Sequence, residues 1–366
     1  MSVEFELIDL NRNPSPVISI VILSYNNSAY IEACLDHVFN QTFQNFEVIA
    51  VDNNSSDNSL ELFKKYPITI VANKENVGAC IADNMGMERA NGKYLLILDT
   101  DTRIQKNALE LLHAYMEADD NKHVGAVMGK LMLGTTSTLN SAGNAMNVLG
   151  HTWCVGLNEI DENQYPSRLV NSISGACFFA RKAIIDKIGG YDPDMFLYNE
   201  DADLSLRFLL YGYKLAYLKD AVVQHHYSVT VNTTTKYSYL ERNRWIILLK
   251  NFELKTLVLM LPLLIFQELG ILLFAIKRGF FINKISGYRW ILQQLPSTLR
   301  KRHKIQQERV IPDRDILPLL EIQFDYADCQ NFLVRRVLNP ISKAHSLVVF
   351  FLLGIRSRKS LNKPVA

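Results

Sequence analysis

Apolar runs recur through the first two thirds of the chain, and each one stops at a cluster of polar residues. "VISIVILSYNN", starting at Val17, is β-branched and apolar until Ser24, Tyr25 and Asn26, which predicts a buried strand ending in a polar turn. "AYIEACLDHVFNQ" follows, with Ile31, Leu35, Val38 and Phe39 at helical spacing. "FEVIAVDNNSSDNS" repeats the design, with a strand from Phe46 to Val51 that runs into Asp52 and Asn53. A helix over Ser59 to Tyr66, a strand "ITIVAN", a helix over Gly78 to Ala90 and a strand "YLLIL" come next. This alternation predicts an α/β fold with right-handed crossovers and a mainly parallel sheet covered by helices on both faces. Ligands of such sheets gather at the carboxyl ends of the strands. Ser24, Tyr25, Asn26, Asp52, Asn53, Asp99 and Asp101 all fall at such ends.

Beyond Tyr237 the pattern changes to long apolar stretches, "LVLMLPLLIFQELGILLFAIKRG" and "LVVFFLLGI". Leu257 to Phe274 is about long enough to cross a bilayer. Pro262 interrupts it, however, and Gln267 and Glu268 sit in its middle, where an acid costs about 2.5–3.5 kcal/mol on insertion. The expectation is therefore helices lying in the membrane interface, with a buried helical subdomain or a dimer interface as the alternative. Lys277, Arg278, Arg300 to Lys304 and Arg356 to Lys359 would face anionic headgroups. The chain thus divides into an N-terminal extension (1–16), a catalytic domain (17–251) and a C-terminal helical, membrane-associated region (252–366).

Composition narrows the function. The 366 residues are 48% hydrophobic and 21% charged, which suits a folded core and excludes general disorder. A net charge of +2 predicts no nucleic-acid partner. The five cysteines, Cys34, Cys80, Cys154, Cys177 and Cys329, have neither CxxC nor zinc-site spacing and read as reduced cytosolic thiols. The N-terminus lacks the basic start and apolar core of a secretory signal. Neither GxGxxG nor GxxxxGK[ST] follows the first strand, so an anionic ligand would need positive charge from elsewhere.

"YLLILDTDTRI" offers such a source. Alternation along an extended segment would aim Asp99 and Asp101 the same way, and two carboxylates at one point repel unless a cation joins them. Hard oxygen ligands favour Mg²⁺ or Mn²⁺, which would neutralise a departing diphosphate. The alternative is that Asp101 or Thr102 merely caps the helix in "QKNALELLHAYMEA". Asp52 at a neighbouring strand end tips the balance towards metal. "FLYNEDADLSLRF" places Glu200 and Asp201 before an apolar helical face, with Asp201 near a helix N-terminus that stabilises an anion. Asp201 as a plain N-cap is the alternative, and Asp203 pairs with Arg207 across one turn.

Taken in order, "ISIVILSYNN", "VIAVDNNSSDNS", "NKENVGACIADNMGMERANGKYLLILDTDT", "ISGACFFARK", "IGGYDPDMFLYNEDADLSLRFLLYGYKLAYL" and "VVQHHYS" resemble the inverting glycosyltransferases of family 2, GT-A fold, over about Val17 to Asn251. The nearest flavour is the rhamnosyltransferase-like branch. The resemblance implies a nucleotide-sugar donor (UDP-, GDP- or dTDP-linked), a saccharide or lipid-linked acceptor, and work at the cytoplasmic face of the membrane. It implies that Tyr25 and Asn26 border the nucleobase, Asp52 contacts base or ribose, and Asn76, Gly78 and Asn84 line the nucleotide. Asp99 would sit near ribose or metal, and Asp101 would ligate the metal. Asp201 would be the base that takes the acceptor proton, with Glu200 orienting acceptor or base. His225, matching H-x-x-S with Ser228, would be a further metal ligand in preference to His226. Structural alternatives stand beside these roles: Asp52 holding its turn, Asn84 packing within a helix, Gly78 easing a tight helix start. Trp153 would stack on a sugar or fill the core. A sugar nucleotidyltransferase and a non-catalytic membrane-bound interaction protein are the rival functions, and a homo-oligomer is the rival use of the tail.

Overall fold

The computed structural model describes residues 3–227, 233–325 and 332–356. Cys329, Ser228 and the end of the last basic cluster, Ser357 to Lys359, lie outside the described residues. Strands and helices alternate as the apolar pattern requires: β2 (Ile18–Ser24), α1 (Ser28–Phe39), β3 (Phe46–Asp52), α2 (Ser59–Phe63), β4 (Thr69–Asn73), α3 (Ala79–Arg89) and β5 (Tyr94–Asp99). The segment expected as an extension carries β1 (Phe5–Asp9), which pairs antiparallel with β4 and closes that edge of the sheet.

After β5 come β6 (Thr102–Ile104), α4 (Ala108–Glu117), β7 (Val124–Leu133), β8 (Leu139–Ser141), β9 (Asn144–Met146), β10 (Thr152–Cys154), β11 (Arg168–Val170), β12 (Cys177–Arg181), α5 (Lys182–Ile188), α6 (Glu200–Leu210) and β13 (Lys214–His225). The sheet runs β1-β4-β3-β2-β5-β12-β7-β13-β11, with β6 on β13 and β8 on β7. β2, β3, β4, β5, β7 and β13 share one direction, because β12, antiparallel to both β5 and β7, joins the two parallel groups. Their carboxyl ends therefore lie along one edge. Thr102 pairs with His225, so the chain leaving β5 crosses directly to the end of β13.

α7 (Thr233–Asn251), α8 (Leu254–Arg278) and α9 (Phe281–Glu308) follow, then α10 (Asp313–Ile316) and α11 (Asn339–Leu352). One core cluster runs from the sheet into Met260, Leu263, Leu264, Ile305, Leu317 and Phe350, so the tail and the sheet share an interior. α8 continues through Pro262, contrary to the expected interruption. Its central acid does not meet lipid: Glu268 accepts hydrogen bonds from Arg244 of α7 at 2.8 Å and from Tyr288 of α9, and pairs with Lys284.

Candidate active site

β5 ends at Asp99, and a tight turn through Thr100 and Asp101 leads into β6. Strand alternation is thus not what aligns the two acids. The backbone reverses after Asp99, Thr102 Oγ1 donates to the Asp99 carbonyl at 2.7 Å, and His226 N–H donates to the Asp101 carbonyl at 2.8 Å. These bonds hold Asp101 against the end of β13. Ligand atoms of Asp99, Asp101 and His225 lie within 4.8 Å of one another. Helix capping is overturned as the alternative, since β6 intervenes and α4 begins only at Ala108, behind Asn107.

The donor set fits a divalent ion. His225 Nδ1 lies 2.9 Å from Asn140 Oδ1, which fixes Nδ1 as the N–H and leaves Nε2 facing Asp101 Oδ1 at 3.4 Å. Burial and the charge of Asp101 push the Asp99 carboxyl up to about 7, with His225 opposing. Burial pulls His225 down, but Asp101 and Asp99 outweigh it and raise the imidazole. The acids thus draw a proton onto His225, which a metal would replace. Sequence reasoning missed Asn140, which no local motif marks. It also missed Asp83, a buried neighbour of Asp99 whose carboxyl is raised well above the usual range by burial and by Asp99.

Asp201 stands across a short backbone bridge. Ala176 O accepts from Asp99 N–H at 3.0 Å, and the preceding Gly175 N–H donates to Asp201 Oδ2 at 3.0 Å. Ala202 N–H donates to Asp201 Oδ1 at 2.7 Å. Asp201 is the second residue of α6, and the N-cap position belongs to Asn199, so plain capping does not account for it. Burial raises its carboxyl, and the N–H groups of Gly175 and Ala202 act in the opposite sense. Glu200 is raised well above the carboxylate range by burial and by Asp201, and its Oε2 is buried with no protein partner. Asp203 and Arg207 pair as expected at 2.8 Å.

The turn before α6 is held against its preference. Phe196, Tyr198 and Asn199 have φ of 66°, 69° and 65°, a left-handed region costing about 1–3 kcal/mol for each non-glycine residue. Phe196 O accepts from Ala79 N–H at 2.7 Å, at the start of α3.

At the ends of β2 and β3, Ser24 Oγ and Asp52 Oδ1 are buried without hydrogen-bond partners, while Asp52 Oδ2 takes Ser55 N–H at 3.1 Å. Asp52 therefore both holds its turn and keeps one oxygen in reserve. Tyr25 is exposed beside them, and Asn26 Oδ1 is occupied by Ser56 N–H at 2.7 Å, fastening two loops together. Asn76 Oδ1 accepts from Asn53 Nδ2 and Gly78 N–H, each at 3.0 Å. Gly78 has φ +84° and lies so close to Phe196 that a Cβ would stand 2.5 Å from its ring. Asn84 makes a structural tie, the packing role that stands beside nucleotide lining. Its Nδ2 donates to Tyr191 O and its Oδ1 accepts from Tyr191 N–H, both at 2.8 Å. Trp153 sits half-buried on the β9–β10 hairpin, outside the core. The adjoining Thr152 Oγ1 reaches Asn199 Oδ1 at 3.4 Å, which sets the hairpin beside the start of α6.

Residues 19–189 match the model of glycosyl transferase family 2. That stretch, which holds β2 to β5 and β12, is similar to family 2 glycosyltransferases. It is 34% identical over 111 residues to the glycosyltransferase GlyG of Streptococcus pneumoniae serotype 4, covering 29% of this chain and 37% of that protein. It is 28% identical over 216 residues to a poly-beta-1,6-N-acetyl-D-glucosamine synthase of Staphylococcus aureus, covering 57% of this chain and 50% of the synthase. The chain thus spans half or less of these relatives' lengths. The crystal structure of GalNAc-T7 with UDP, GalNAc and Mn²⁺ shares the fold, with a TM-score of 0.53 at 16% identity over 64% of this chain and 48% of that one.

Proposed function

We propose that this domain is a metal-assisted, inverting glycosyltransferase that moves a sugar from a nucleoside-diphosphate donor to a hydroxyl of a saccharide or lipid-linked acceptor. The convergence of Asp99, Asp101 and His225 at the carboxyl edge, with Asp201 one backbone bridge away, carries this reading. Asp101, Asp99 and His225 would hold Mg²⁺ or Mn²⁺. When bound, the ion supplies positive charge to the leaving diphosphate, for which the chain has no glycine-rich cradle. Ser24 Oγ and Asp52 Oδ1 offer their unpartnered oxygens to ribose or base hydroxyl and N–H groups. Tyr25 borders the base.

On the acceptor side, Asp201 takes the hydroxyl proton while that oxygen forms its bond to the anomeric carbon. The bond from that carbon to the diphosphate oxygen breaks on the opposite face, giving a glycoside of inverted configuration and a free nucleoside diphosphate. Glu200, with its Oε2 buried beside Asp201 and without a protein partner, orients the acceptor or the base.

The relatives that build saccharides support a role in cell-surface polysaccharide or glycan synthesis. The exposed apolar side of α8 supports attachment to the cytoplasmic membrane surface, where a lipid-linked acceptor would be met. The test is a panel of UDP-, GDP- and dTDP-sugars assayed for nucleotide release with Mn²⁺ or chelator. Turnover with one donor that chelator abolishes, and that Asp201→Asn loses without losing nucleotide binding, is expected. Metal-independent turnover, or a near-normal rate in Asp201→Asn, would overturn the assignment.

A further inference from the structure

We propose that Asn243 of α7 is a positioning residue that aims Asp201 by locking the turn from Met195 to Asn199 in its left-handed shape. The proposal rests on Asp201 being the base. Asn243 is fully buried, and its Nδ2 donates to Met195 O at 3.0 Å, Leu197 O at 3.0 Å and Tyr198 O at 2.7 Å. Two hydrogens thus serve three carbonyls of one turn, which wraps around the amide. Arg242 Nη2 adds a bond to Met195 O at 3.1 Å, and Asn199 Nδ2 ties back to Leu240 O at 2.9 Å. α7 therefore holds the turn at both ends as well as at its centre.

Holding is needed because the turn contains no glycine. Phe196, Tyr198 and Asn199 all have positive φ, and the two aromatics gain nothing locally from that conformation. Released, they would relax to ordinary backbone angles. The chain enters α6 through Tyr198 and Asn199, and Asn199 O accepts from Asp203 N–H at 3.0 Å, so a change in the turn tilts the first turn of the helix. Asp201 sits in that turn. The Phe196 carbonyl points the other way, to the start of α3 beside Gly78. One amide thereby keeps the base and the donor-side segment in fixed relation.

Asn243→Asp keeps the shape but turns an oxygen towards three carbonyls. Full-length enzyme carrying it is assayed with the donor that the sugar-nucleotide panel identifies, alongside Asp201→Asn. The expected kcat for transfer to acceptor falls about 100-fold, the effect of a misplacement near 1 Å. KM for the donor, and binding of its nucleoside diphosphate with Mn²⁺, change far less than kcat. Adding Tyr198→Gly, which lets the turn take its shape unforced, recovers part of the lost kcat. Should Asn243→Asp not yield folded protein, Asn243→Ser, which keeps one donor hydrogen, is measured in the same way. A normal kcat per folded molecule in the Asn243 variant, or loss confined to thermal stability, overturns the positioning role. A normal rate in Asp201→Asn instead removes the base beneath it, so the two failures are distinguishable.

Discussion

Asp99 and Asp101 face each other across a turn and share one imidazole, so each carboxylate raises the energy of the other until positive charge arrives. Asp101→Asn removes a charge without changing shape. Nucleoside-diphosphate affinity with Mn²⁺, measured by calorimetry, should fall to the value found with chelator, and transfer should drop about 10²–10³-fold. Gly78 tests the opposite side of the site. Its φ of +84° and the Phe196 ring 2.5 Å from a built Cβ leave no room for alanine, so Gly78→Ala should cost about 1–3 kcal/mol in a urea titration. The pairing of the two acids was legible because an apolar run ends in them and Asp52 closes a neighbouring strand. The partner of Asn84 was not, because the backbone that occupies its amide belongs to Tyr191, 107 residues away.

Among the elements, α7 joins the parts. Lys250 is buried between Asp192 and Asp203, reaching Asp203 at 2.8 Å, while Lys301 of α9 closes on Asp192 and Asp194. Lys250→Met would leave two buried acids undercompensated, an expected loss of about 3–5 kcal/mol seen as a lower urea midpoint. At the other contact, burial would raise Glu241, but Arg244 and Lys284 outweigh it and lower it from 4.5 to about 2. The unfolded chain then binds the proton first, so this stability is present above pH 4.5 and is lost as pH falls towards 2. Glu241→Gln should flatten that acid limb in thermal melts. The strand–helix alternation of the first half was readable because burial on both faces forces continuous apolar runs. β1 escaped notice because it is short and mostly exposed, and its brief alternation in "VEFEL" is no continuous apolar run.

At the scale of the molecule, the open question is what covers the apolar side of the helical region. α8 is 25 residues long, about 37 Å at ~1.5 Å per residue. Leu254, Val258, Leu261, Ile265, Leu269, Leu273 and Ile276 stand exposed at intervals of three or four, joined by Ile282 and Leu292 of α9 and by Phe351 of α11. Gln267 on the opposite face and Glu268 at the flank of the stripe reach His151, Arg244 and Lys284. The sequence placed those two polar residues inside an apolar run and read them as a barrier to insertion. Packing resolves the conflict, since His151, α7 and α9 engage the two residues while the leucines face outward. A helix so divided lies along a surface better than it crosses one, because its polar side needs the partners it already has. Leu269→Glu with Leu273→Glu places two charges on the exposed stripe and touches none of those partners. Flotation with anionic vesicles should show the variant released from lipid while donor hydrolysis in solution persists. Undiminished vesicle binding would assign the stripe to a second copy of the chain, and sedimentation of the wild type would then show the dimer.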